Sequence, residues 1–137
     1  MPNAKPLVAI INTSEEVVEF LREALEQEGY AHVAEEVLTF KRGERDVETF
    51  LQHHDPDVVI WDIGFPYEKN WAFYTGLRQR GVFDGRGLVL TTTNRHALES
   101  FAGPTAVTEI IDKPFALTTL LEAVAAALPQ HRRRKRT

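Results

Sequence analysis

Four apolar runs in this chain each end on side chains able to do chemistry. Val58-Val59-Ile60-Trp61 runs into Asp62, and Leu7–Ile11 runs into Asn12 and Thr13. Leu88-Val89-Leu90 leads to Thr91, Thr92 and Thr93, and Val107–Ile111 leads to Asp112, Lys113 and Pro114. The chemistry open to such a set is that of a carboxylate beside a lysine and hydroxyls, either left reactive or closed as an Asp62–Lys113 ion pair. Lys113 has a second carboxylate to pair with in Asp112. Other chemistries lack their parts. With no cysteine there is no thiolate ligand, thiol nucleophile or disulfide framework. His53 and His54 are adjacent on a helical stretch and so point apart, and His32 and His96 stand alone. No glycine-rich phosphate loop or nucleophile elbow occurs, and no general base with a positioned nucleophile can be read, so an enzyme is not expected.

The elements that position these residues follow from periodicity. The four runs are strand-like, and Ala31–Ala34 is a weaker fifth; Val37–Phe40 also reads as extended. Between them lie helical patterns. Val17, Val18, Leu21 and Leu25 share a face, opened by a Thr13–Glu16 capping box and stopped at Gly29. Val47, Phe50, Leu51 and His54 form a second helix ending at Asp55-Pro56. Trp71, Tyr74 and Leu77 form a third with Asn70 as its N-cap. A short helix spans Arg95–Phe101, and Leu117, Leu120, Leu121, Val124, Ala125 and Leu128 mark the last. Five strands and five helices in alternation predict an α/β doubly wound fold of (βα)5, flavodoxin-like type. Its five-stranded parallel sheet carries helices on both faces. In such folds the crevice lies beyond the carboxyl ends of the strands, where all the polar residues above collect.

These residues resemble the receiver domain of two-component response regulators, over residues 6–128. "PDVVIWDIGFP" is similar to that family's third strand and "IIDKPFALTTLLEAV" to its fifth strand and last helix. The resemblance implies that Asp62 is the phosphoacceptor position, Lys113 the phosphoryl contact and Thr92 the switch hydroxyl, with Thr91 and Thr93 as neighbouring frames. It also implies a place at the first strand where the family carries two acidic residues that hold Mg²⁺. Here that place holds Asn12 and Thr13. Mg²⁺ prefers carboxylate oxygens and gives up its water reluctantly, and Asp62 and Lys113 already cancel each other. No cofactor is therefore expected, and Mg²⁺ binding should be weak or absent. Glu15 and Glu16 fall in the first helical turn and are poor substitutes. Thr93, where the family carries a small residue, crowds the entrance. Ile110, where an inward-swinging aromatic is usual, is a stiff aliphatic.

The expected function is an atypical receiver, or pseudo-receiver, signalling through protein–protein contact independently of Mg²⁺-dependent phosphorylation. A histidine kinase or an output protein is the expected partner. A homodimer would use the fourth helix, fifth strand and last helix, with Phe101, Ile110 and the outer side of residues 118–128 on that face. Two alternatives stay open: a slow but genuine aspartyl-phosphate receiver at Asp62, and a binder of nucleic acid or acidic surfaces through its tail.

The 137 residues suit one domain, taken as 1–129, followed by a basic, disordered tail over 130–137. Arg132, Arg133, Arg134, Lys135 and Arg136 are five of 16 basic residues, so the first 131 residues hold 11 against 20 acidic ones, a net of −9. That acidic body opposes nucleic-acid binding except through the tail. The longest early apolar run, Leu7–Ile11, is too short for a secretory signal or a membrane span, so a cytoplasmic protein with no membrane contact is expected. No DNA-binding domain follows in the sequence, so a complete receiver–output transcription factor is not expected. Trp61, Trp71, Phe65, Tyr67 and Phe73 are expected to cluster around the loop after Asp62, as core or as an interaction surface.

Overall fold

The computed structural model describes residues 5–12, 14–102, 110–112 and 117–128, with backbone alone for 101, 102 and 110–112. Its strands are β1 (Leu7–Asn12), β2 (Ala31–Glu36), β3 (Val58–Ile63), β4 (Gly87–Thr92) and β5 (Ile110–Asp112). The helices are α1 (Glu15–Gln27), α2 (Val37–Lys41), α3 (Val47–His54), α4 (Tyr67–Gln79), α5 (Arg95–Ala102) and α6 (Leu117–Ala127). The strands pair in parallel in the order β2-β1-β3-β4-β5. The connection therefore reverses between β1 and β3, the switch point beside which such sheets open a crevice.

Every residue of β3 and β4 is buried, because helices cover both faces of the sheet. Alternation along each strand sorts the core in two. Val8, Ile10, Val58, Ile60 and Val89 meet Val18, Leu21 and Leu25 of α1 and Leu120, Ala123 and Val124 of α6. Ala9, Ile11, Val59, Trp61, Ile63, Leu88 and Leu90 face the other way, toward α2, α3, α4 and α5. On that side Trp61 stacks on Phe40 and Phe73 and receives the edge of Phe83. Gly29, at φ +87°, turns the chain out of α1 in a conformation that a Cβ would disfavour. Gly87 has a different reason to be glycine: a Cβ there would lie 2.5 Å from the Ala127 carbonyl oxygen. The end of α6 thus packs directly on the start of β4.

Several local expectations are overturned. Residues 37–40 are helical, giving six helices among the described residues. Val37 and Phe40, three apart, then face the core together, where an extended chain would have paired Phe40 with the exposed Leu38. The α1 N-cap is Ser14, whose hydroxyl accepts from the Val17 amide at 3.3 Å. Helix α4 starts at Tyr67, with Pro66 as the cap residue, so Asn70 lies inside the first turn, 8 % exposed. No helix among the described residues is long and apolar enough to cross a membrane.

Candidate functional site

Strand β3 delivers Asp62 to the carboxyl end of the sheet because an uninterrupted apolar run fixes the residues before it. Alternation places the Asp62 side chain with Val58 and Ile60, toward α1 and α6. The same rule places Asn12 with Val8 and Ile10, and Thr91 with Val89. The register aligns Asp62 with Thr91, and Ile11 with Trp61, so Asn12 is the next position opposite Asp62. Asn12, Asp62 and Thr91 therefore form one polar row across β1, β3 and β4, at 1 %, 2 % and 0 % exposure.

Each member of the row is engaged. Asn12 Oδ1 accepts from the Ser14 amide at 3.0 Å, joining the end of β1 to the start of α1. Thr91 Oγ1 donates to Asp62 Oδ1 at 2.7 Å. Thr92, the residue that the resemblance assigns to the switch, points to the opposite face. Its hydroxyl donates to the Ile63 carbonyl at 2.8 Å and accepts from the Asn94 amide at 3.3 Å. The hydroxyl on the carboxylate is thus that of Thr91. Asn94 in turn caps α5, its Oδ1 accepting from the Ala97 amide.

The loop after Asp62 is fastened by side chains. Asn70 Nδ2 donates to the Gly64 carbonyl at 2.8 Å, and Lys41 Nζ donates to Asn70 Oδ1. The Tyr67 hydroxyl shares a 2.5 Å hydrogen bond with Thr93 Oγ1. Phe65, by contrast, is 83 % exposed and meets Tyr67 edge-on. The expected aromatic cluster is therefore divided: Trp61 and Trp71 are core, Phe73 is partly buried against it, and Phe65 is at the surface.

Thr13 and Lys113 lie outside the described residues, as does the tail from 129 onward. Ile110 is placed by its backbone, opposite Leu90 in β5, and Asp112 opposite Thr92. A groove of about 200 Å³ opens beside Asn12, bordered by Glu15 and Glu19 of α1 and by Glu35 and Glu36 of β2. Glu15 and Glu16 are exposed in the first turn of α1. Among the described residues, no three His, Asp or Glu side chains converge as metal ligands. His53 and His54 sit edge to face at the end of α3, ahead of the amino end of β3, whereas the polar row lies at the carboxyl ends of the strands. His32 bonds Glu26 on the surface.

Nothing in the sequence points to Lys41, and Tyr67 stands out there only as one of the aromatics after Asp62. Asn70 reads as a helix cap from its residue type alone, and nothing in spacing reveals that its amide spans a loop.

The family model of the response regulator receiver domain matches residues 8–125. A response regulator from Thermotoga maritima is 22% identical with a TM-score of 0.68, covering 90% of this chain and 97% of that one. A chemotaxis protein from Vibrio cholerae is 20% identical with a TM-score of 0.66, over 91% of this chain and 100% of its own. A response regulator protein from Burkholderia multivorans is 22% identical with a TM-score of 0.60, over 90% and 94%. At such identities the likeness is one of fold. No curated protein matches.

Proposed function

Because the chain belongs to the response regulator receiver domain family, we propose that it is an atypical receiver, a non-enzymatic module that signals by protein–protein contact without Mg²⁺-dependent phosphorylation of Asp62. The observation that carries this reading is Asn12. It occupies the buried position beside Asp62 at the switch point, a neutral amide whose oxygen accepts from the Ser14 amide. A hard divalent ion takes oxygen ligands and favours carboxylates. In the polar row it would meet one carboxylate, Asp62, one oxygen of which holds the Thr91 hydroxyl. Those residues do not fit Mg²⁺, and phosphoryl transfer relies on such an ion to neutralise the charge that gathers between donor and acceptor oxygens.

What remains for function is surface. We read α5, β5 and α6 as the face for an output protein, a histidine kinase or a second copy of the chain. Asn94 ties the end of β4 to the first turn of α5, so the state of the site is mechanically joined to that face. A cytoplasmic location is part of this proposal. The test is a Mg²⁺ titration by calorimetry, with and without beryllofluoride. The expected result is no saturable heat at millimolar metal; a saturable site that Asp62→Asn removes would overturn the reading in favour of a slow aspartyl-phosphate receiver.

A further inference from the structure

Three consecutive hydroxyls leave the end of β4 and take three different partners. Thr91 bonds the Asp62 carboxylate on one face, Thr92 bonds the Ile63 carbonyl on the other, and Thr93 bonds Tyr67 beyond the sheet. Their targets, residues 62, 63 and 67, run from the end of β3 to the first residue of α4. We propose that these hydroxyls form a staple that keeps Asp62 closed, and that the Tyr67–Thr93 bond is its outer latch, whose opening admits reagents or partner groups to the carboxylate.

The order of opening follows from burial. Thr91 and Thr92 are fully buried, so breaking either bond exposes no water to replace it. Thr93 is exposed and Tyr67 half-buried, so water competes for the latch and it yields first. Both sides that the latch bridges are otherwise anchored. On the β3 side, Asn70 holds the Gly64 carbonyl, and its amide donates to the Pro66 carbonyl. On the β4 side, Asn94 is held by Thr92 and caps α5. The latch is thus the outermost of the side-chain bonds that join two anchored rims of the crevice.

The proposal concerns the same site as the reading above but does not depend on metal or phosphoryl chemistry. Its test uses neither, so the two can fail separately. Carboxylates of the full chain are labelled with a water-soluble carbodiimide and an amine nucleophile, and Asp62, Asp57 and the exposed Glu68 are read by peptide mass spectrometry. Asp62 should label far more slowly than Glu68 in the native chain. Tyr67→Phe and Thr93→Val should each speed Asp62 labelling about threefold to tenfold, the range that one neutral hydrogen bond contributes to an opening equilibrium. Thr93→Ser should retain the native rate, and the double variant should label no faster than either single one. Native rates at Asp62 in Tyr67→Phe would overturn the proposal. So would a parallel rise at Asp57, which would mean general loosening of the sheet.

Discussion

Strand β3 carries a carboxylate near each end, Asp57 just before it and Asp62 near its close, and both are 2 % exposed. Their surroundings differ in kind. Asp57 Oδ2 accepts the Leu7 amide at 2.8 Å, while the Asp57 backbone bonds Leu7 and Gly87 on either side. Beside it Arg86, with its side chain 7 % exposed, donates to Asp55 at 2.8 Å, to the Pro56 carbonyl at 2.9 Å and to the Leu51 carbonyl at 3.2 Å. The amino end of the sheet is tied by side chains to backbone, and those bonds cannot be re-formed elsewhere. At the carboxyl end Asp62 is met by a side-chain hydroxyl, whose hydrogen is free to turn about the C–O bond as a backbone amide's is not. Equal burial therefore marks two roles: one carboxylate builds the sheet, and the other stands in a crevice that the fold leaves adjustable.

The largest effect should come from the tied end. Arg86→Ala removes three hydrogen bonds and takes from the Pro56 carbonyl its side-chain donor, at a cost of about 3 kcal/mol in urea denaturation. Next comes the direct contrast. Asp57→Ala strands the Leu7 amide at the sheet's edge and should lose about 2–3 kcal/mol, whereas Asp62→Ala strands one neutral side-chain hydroxyl, that of Thr91, and should lose less, about 1 kcal/mol. Equal losses would break the comparison and mark Asp62 as one half of a closed structural pair.

How far this contrast could be foreseen depends on what strand periodicity encodes. The apolar runs before Asn12, Asp62 and Thr91 place those residues at the carboxyl edge, and the alternation with helices implies which edge gathers function. Interstrand register is a tertiary property. The sequence alone therefore left Thr91, Thr92 and Thr93 as alternative frames, and only the Asp62–Thr91 alignment separates the carboxylate's partner from the hydroxyl on the opposite face. Ser14 stands at the α1 cap in place of Thr13, and Pro66 at the α4 cap in place of Asn70, because cap preference is a property of residue type, and Pro66 and the groups around Gly64 decide where α4 begins. The short α2 escaped because five residues give too little periodicity to distinguish a helix from a strand. Arg86 gave no signal at all, since its three acceptors come from residues 51–56.

Between the two ends lies a smaller test. Tyr74 is fully buried among Trp61, Trp71 and Phe83, its hydroxyl has no hydrogen-bond partner among the described residues, and burial pushes its pKa up to about 12. Tyr74→Phe should hold stability or raise it by up to about 1 kcal/mol, because a desolvated, unbonded hydroxyl is removed. A loss would reveal a polar link between the ends.

The smallest effect is a pH dependence at the tied end. His54, closing α3, is held below its ordinary value of 6.5 by partial burial first and then by His53 and Arg45. Its neutral form is favoured in the fold, so the unfolded chain binds the proton more readily. The contribution is present above the ordinary value and is lost as pH falls through the folded one. Melting curves between pH 7 and 5 should show a slightly smaller decline for His54→Gln than for the native chain.

The central claim is that the adjustable crevice no longer takes a phosphoryl group by metal-assisted chemistry. Incubation with acetyl phosphate and millimolar Mg²⁺, read by intact mass, tests it most directly. The account predicts no phosphorylated species beyond that seen with Asp62→Asn. A Mg²⁺-dependent mass increment of one phosphoryl group, lost in Asp62→Asn, would contradict it.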